Sequence, residues 1–269
     1  LSRAIFSGRP IFEWAISMLL NHQVHGNGEP LIILHGLFGT LENWGSQIKT
    51  LADHYQVIAV DMRNHGRSPH SDAIDYALMA QDIAELMQHL NLSTAHIIGH
   101  SMGGKAAMQL ALNKPELIDK LIIVDIAPVQ YGAHHDDVFH GLFSIKLDQL
   151  KSRGEADKQL AEHIQEPSVR AFLLKNLYRT EEKQFAWRMN LNALHQHYSE
   201  IGSAPQGDSY NNPVLFIKGD NSNYLIPEYR EAVLGMFPKA TYKVIKNAGH
   251  WPHAEKPAEF SKIVLDYLQ

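Results

Sequence analysis

Gly99-His100-Ser101-Met102-Gly103 sets one serine between two glycines, each two residues away. A serine on a sharp turn from strand to helix presents its hydroxyl to solvent, and glycines at that spacing relieve the backbone crowding. The flanks have the required character: an apolar run, His96–Ile98, precedes the motif and a helical run starts near Met102. A helix beginning there aims its free N–H groups and positive dipole end at the same point. A hydroxyl is a weak nucleophile near neutral pH and needs an adjacent base. Histidine suits that task because it titrates close to working pH. Seventeen histidines make their number uninformative, so position decides. His250, in Asn247-Ala248-Gly249-His250-Trp251, lies between the last apolar run and the last helical stretch, where a loop can reach back to Ser101. His253 is a weaker competitor, and His100 is expected to point away from the nucleophile as a structural residue.

A third group must orient the imidazole and stabilise its cation. Two acids compete. Asp125 directly follows the apolar run Leu121–Val124, and Asp220 follows Val214–Ile217. Both stand at expected strand ends and both keep the order Ser, acid, His. Negative charge on a reacting carbonyl needs donors. The glycine-bearing turn His35-Gly36-Leu37-Phe38-Gly39 offers the Leu37 amide, and Met102, next to the nucleophile, offers a second. Losing one such donor typically costs about 10²–10³ in rate.

Two other patterns compete for attention. Gly99 to Lys105 reads G-x-x-x-x-G-K, but Ala106 stands where a P-loop needs Ser or Thr for magnesium, so nucleotide binding is not expected. His134, His135, Asp136 and Asp137 could suggest a metal cluster, yet adjacent side chains seldom converge, so a solvated loop is expected and no metal or cofactor.

Short apolar runs alternate with helical periods, which implies a mostly parallel sheet with helices on both faces. The expected strands are Leu31–Leu34, Val57–Val60, His96–Ile98, Leu121–Val124, Val214–Ile217 and Tyr242–Ile245, with an antiparallel edge strand within Met18–His25. Residues 75–90 repeat at helical spacing, and a last helix starts at Pro257 with Phe260, Ile263, Val264, Tyr267 and Leu268 on one stripe. From about Pro128 to Pro205 the chain is helical in character with no convincing strand. An insertion there would roof the strand ends, where ligands of such sheets bind. Most of its aromatic residues are expected to build its own core, and a few to face the cleft. The organisation is therefore a core of 18–127 and 206–269 and an insertion of 128–205. Residues 1–17 are expected to be a non-native leader or an extension before a start at Met18.

The chain has 269 residues, 45% hydrophobic and 20% charged, with net charge −5. That is globular composition, and the acidic balance argues against nucleic acid as the main ligand. Absence of cysteine excludes disulfides, thiolate metal sites and a cysteine nucleophile. No apolar run reaches about 18 residues, so no membrane span is expected, and cytoplasm is the default location. Monomer and homodimer both stay open.

The motifs together resemble the α/β-hydrolase superfamily. They are His35–Gly39, Asp61 to Ser68 (DMRNHGRS), Gly99–Gly103, and Gly249-His250 with His253-Ala254-Glu255-Lys256-Pro257, in the family's order from about Met18 to Gln269. HGLFG, VDMRNHG, GHSMGGK and VDIAPV are most similar to the bacterial YbfF-type esterases. The resemblance implies a cofactor-free Ser-His-acid hydrolase with a helical cap after the family's sixth strand. It also bears on the acid. The superfamily's common G-x-x-D position falls on Ser222, whereas Asp125 occupies the alternative site that YbfF-type proteins use, so Asp125 is favoured over Asp220. Asp61 and Arg63 belong to a turn expected to stabilise the fold by pairing beside the site. A serine nucleophile argues against the dehalogenases and epoxide hydrolases of this fold, which use aspartate. The expected activity is hydrolysis of a small carboxylic ester through an acyl-enzyme. An acyl-CoA thioesterase is the nearest rival, ahead of a carbon–carbon bond hydrolase or a non-catalytic small-molecule receptor.

Overall fold

A computed structural model describes residues 18–269. The expected leader over 1–17 lies outside the described residues. The first half of the chain alternates strand and helix: β1 (His22–His25), β2 (Pro30–Leu34), α1 (Gly45–Leu51), β3 (Gln56–Val60), α2 (Tyr76–His89), β4 (Ala95–His100), α3 (Met102–Asn113) and β5 (Ile118–Val124). Then come α4 (Asp136–Ser144), α5 (Arg153–Leu160), α6 (Pro167–Leu174), β6 (Leu177–Arg179), β7 (Phe185–Trp187), α7 (Leu191–Gln196) and α8 (Tyr198–Gly202). The alternation resumes with β8 (Val214–Gly219), α9 (Arg230–Met236), β9 (Ala240–Ile245), α10 (Pro252–Glu255) and α11 (Pro257–Leu268).

Seven strands form one sheet in the order β1-β3-β2-β4-β5-β8-β9. Only β1 runs antiparallel, pairing His22 with Val60 at the start of its register; the other neighbours are parallel. The strand ends of β2, β4, β5 and β8 therefore share one edge, and the turns that follow them meet there. Both faces of the sheet are covered, which is why its central strands read as unbroken apolar runs. Ile32 and Leu34 of β2 pack with α2 and α3, and Leu31 and Ile33 pack with α1 and α11 on the opposite face. Asp75 starts α2 by accepting from the Leu78 amide at 2.7 Å. Pro257 opens α11, and Phe260, Val264 and Leu268 form its buried stripe.

The stretch between β5 and β8 departs from its helical expectation. It contains the hairpin of β6 and β7, with Leu177 opposite Trp187 and Arg179 opposite Phe185. Each strand has three residues, too short for alternation to register in sequence. Cross-strand stacking holds the pair: the Arg179 guanidinium lies 4.2 Å from the Phe185 ring centre. Phe139 is buried against Phe38 and Tyr198, whereas Phe172 faces a cavity beside Trp251. Among the described residues no helix is long and apolar enough to cross a membrane.

Candidate active site

Ser101 sits between β4 and α3 at φ 52°, ψ −117°, a left-handed conformation unusual for a residue with a Cβ. The turn is tight enough to exclude side chains on either side. A Cβ on Gly99 would lie 2.4 Å from the Gly103 carbonyl oxygen, and one on Gly103 would lie 2.5 Å from that of His35. The Ser101 amide donates to Val124 O at 3.0 Å, tying the turn to β5.

His250 reaches Ser101 from the loop after β9. Its Nδ1 donates to Asp125 Oδ2 at 2.8 Å, which leaves Nε2 as the acceptor for the Ser101 hydroxyl at 3.1 Å. Asp125 is fully buried and also left-handed, at φ 53°. Its Oδ1 accepts from the Gly219 amide at 3.0 Å, and its Oδ2 also accepts from the Ser222 hydroxyl. Asp220 is not brought to the imidazole. It faces Lys246 at 3.3 Å on the surface. Ser222, at the G-x-x-D position, instead supports the acid on the neighbouring strand.

Several neighbours fix His250, and sequence patterns did not assign them that role. The Tyr224 ring stacks on the imidazole with centres 3.8 Å apart. Glu255 accepts from the amides of Gly249 and Trp251 at 2.8 and 3.2 Å, clamping the loop on both sides of His250. His100 Nε2 donates to His250 O at 2.7 Å. Burial, with His253 and His250 alongside, holds the His100 pKa well below the ordinary histidine value. His253 stacks on Trp44 at 4.2 Å, and burial takes it down to about 3. Of these, His100, His253 and Glu255 fall within motifs visible in the sequence, and Tyr224 does not.

The His35–Gly39 turn is held from behind. The Met62 amide donates to His35 Nε2 at 3.0 Å, so His35 Nδ1 carries the proton that it donates to Gly36 O at 2.8 Å. The Phe38 amide donates to His65 Nε2 at 3.1 Å, and Asn176 Nδ2 donates to Phe38 O at 2.7 Å. Leu37 N, between these anchors, has no acceptor among the described residues, and neither does Met102 N at the start of α3. Both residues line a small cavity with Ser101.

Asp61 and Arg63 stabilise this layer without pairing with each other. Asp61 accepts from Leu41 N, Arg67 N and Asn21 Nδ2, at 2.7–2.9 Å, and so joins three segments. Arg63 makes two bonds to Asp82, at 2.6 and 2.7 Å. The His134–Asp137 segment is not simply a solvated loop. His134 and Asp137 are exposed, but His135 borders the cavity over Ser101, and burial takes its pKa to about 4. Among the described residues no group of three metal-ligating side chains converges.

The cavity above Ser101 has a volume of ≈ 670 Å³. Val138, Val169, Phe172, Leu173 and Trp251 give it an apolar lining, with His250 at one wall.

A strained serine at a strand-to-helix turn, facing an imidazole and a buried carboxylate, is the arrangement on which a family comparison turns. The description of the alpha/beta hydrolase fold matches residues 29–257. The chain belongs to that family. The alpha/beta hydrolase fold also carries the solved neighbour "Marine microorganism esterase", at TM-score 0.91 and 39% identity, over 93% of this chain and 99% of that one. "Esterase YbfF" of Escherichia coli strain K12 is 39% identical over 243 residues, 90% of this chain and 94% of its own length. The mouse "sn-1-specific diacylglycerol lipase ABHD11" is 39% identical over 88% of this chain and 80% of its own. The expected kinship with YbfF-type esterases is thus borne out.

Proposed function

We propose that the protein hydrolyses carboxylic esters through an acyl-enzyme, with Ser101 as nucleophile, His250 as general base and acid, and Asp125 as orienter. The observation that carries this reading is the unbroken line from Ser101 Oγ through His250 to Asp125, at 3.1 and 2.8 Å, opening onto an apolar cavity. His250 Nε2 takes the hydroxyl proton as Ser101 Oγ bonds to the acyl carbon. Charge then develops on the carbonyl oxygen, where the Leu37 and Met102 amides serve as the oxyanion hole. Asp125 keeps the imidazole in the receptive tautomer and stabilises its cation. His250 passes its proton to the leaving oxygen, and water repeats the route to release the acid. The 128–205 stretch acts as a cap that walls the substrate in. The esterase and lipase names of the relatives point to the same bond class.

Ser101→Ala tests the assignment. It should remove ester turnover and fluorophosphonate labelling while leaving the circular dichroism spectrum and Tm in place. Undiminished p-nitrophenyl ester hydrolysis by that variant rejects it. Matched acyl-CoAs in the same assay separate esters from thioesters. Ligand binding without labelling of the native chain identifies a carrier instead.

A further inference from the structure

Two cavities of different size meet at Ser101 and share Leu37 and His135, but only the large one reaches His250 and only the small one reaches Met102. The large one, ≈ 670 Å³, is walled by His250, Trp251 and residues of α6. The small one, ≈ 40 Å³, is lined by Leu37, Met102, Ile126 and Lys105 among others, and none of its described lining residues belongs to the 250–255 turn. We propose that the small cavity receives the acyl chain and the large one the leaving group, so the substrate class is a short acyl group, up to about butyryl, on a bulky apolar alcohol. This rests on the acyl-enzyme reading above.

Proton bookkeeping sets the orientation. When the tetrahedral intermediate collapses, the bond from the acyl carbon to the leaving oxygen breaks. That oxygen takes the proton held on His250 Nε2, so it must lie on the His250 side. The large cavity is on that side. The carbonyl oxygen goes to the Leu37 and Met102 amides, and the carbon chain takes the direction that remains, into the small cavity those residues line.

Volume sets the length. A water-sized group needs roughly 10–15 Å³ by this measure, so ≈ 40 Å³ admits about three heavy atoms beyond the carbonyl. The walls are pinned against expansion. Tyr76 Oη donates to Ile201 O, and Tyr131 Oη donates to Tyr224 O. Lys105 Nζ donates to Gly202 O at 2.8 Å and to Ser203 O, and it lies 4.7 Å from the Tyr131 ring centre. Each of these side chains would have to release a hydrogen bond for a longer chain to enter, and a donor or acceptor left unmet in burial is costly.

The test is two ester series on the purified protein. With p-nitrophenol fixed, kcat/KM should fall at least about tenfold from butyrate to octanoate. With acetate fixed, it should rise at least about tenfold from ethyl to decyl alcohol, since each added methylene gains apolar burial. Val169→Trp, at a half-exposed position on the wall of the large cavity, should lower the ratio of kcat/KM for decyl acetate to that for ethyl acetate about tenfold. Preference for octanoate over butyrate overturns the orientation while leaving the ester-hydrolase reading intact. Loss of long acyl esters in Val169→Trp, with long alcohols unaffected, does the same. No turnover anywhere in either series removes the parent reading and this one with it.

Discussion

Replacing Asp125 by Asn changes one atom's chemistry at a position where three donors converge. The carboxylate accepts from His250 Nδ1, from Ser222 Oγ and from the Gly219 amide. An amide has only one accepting oxygen. If that oxygen faces His250, the NH₂ group is driven against the Gly219 N–H, donor against donor. If the oxygen faces Gly219, the NH₂ group donates to Nδ1 and the imidazole proton moves to Nε2. That proton then points at Ser101 Oγ and the base is lost. The second arrangement keeps the Gly219 bond, and Ser222 can rotate to accept, so it should prevail. Wrong-tautomer losses in serine hydrolases of the chymotrypsin type are about 10⁴ in kcat, and the same magnitude, about 5.5 kcal/mol of barrier, is expected here. The assay is steady-state hydrolysis of p-nitrophenyl acetate with Tm measured in parallel. Asp220→Asn is the control: its carboxylate faces Lys246 at the surface, so kcat should stay within about twofold, as for most exposed ion pairs. A loss below tenfold in Asp125→Asn, or a large loss in Asp220→Asn, refutes the reasoning.

Tyr224→Ala should lower kcat by about 10–100-fold, by freeing the imidazole that the ring now covers at 3.8 Å, while Tyr224→Phe keeps the stacked face and most of the rate. Equal losses in both would show that the hydroxyl matters and the stacking does not. Asp82→Ala should cost about 3 kcal/mol in urea unfolding, because it strands the Arg63 guanidinium, 6% exposed; a change under 1 kcal/mol contradicts this. The pH dependence has a definite sign. Burial takes His65 and His253 down to about 3, while an unfolded histidine titrates near 6.5. Above about 6.5 both states are neutral and stability is full. Below it the unfolded chain takes protons that the folded chain refuses, so stability falls as pH drops toward 3. Two such groups give about 2.7 kcal/mol per pH unit, and an unchanged urea midpoint between pH 6.5 and 5 would contradict it.

Much of the sheet was readable because its central strands are buried on both faces and announce themselves as runs such as LIIL and VLFI. That Ser101 and His250 meet was readable because G-x-S-x-G marks a tight strand-to-helix turn and the loop after the last strand lies at the same end of the sheet. The acid was only half legible. Asp125 and Asp220 both follow strands, and what separates them is backbone direction: Asp125 is left-handed at φ 53° and aims inward, while Asp220 runs out to Lys246. The β6–β7 hairpin stayed hidden because three-residue strands carry no period. Tyr224 and Asn176 stayed hidden, and His135 was expected in a solvated loop, because their partners are far away in sequence and nothing local marks a ring that stacks or an amide that reaches across. Arg63 illustrates the same limit: pairing with Asp61 in its own turn was expected, and the guanidinium is taken instead by Asp82 of α2.

Asn176 has a practical consequence for anyone wishing to make a smaller catalyst from this chain. It sits between α6 and β6, yet its side chain holds the carbonyl of Phe38, one residue past the Leu37 amide. Trimming the segment from α4 to α8 would do more than open the entrance. It would unfasten the turn proposed to hold the oxyanion and leave a buried acceptor unmatched. A shortened version should therefore be slow as well as unselective, and the remedy is a replacement donor at that carbonyl rather than a redesigned entrance. Changing substrate range by exchanging individual wall residues, such as Val169 or Phe172, avoids the difficulty.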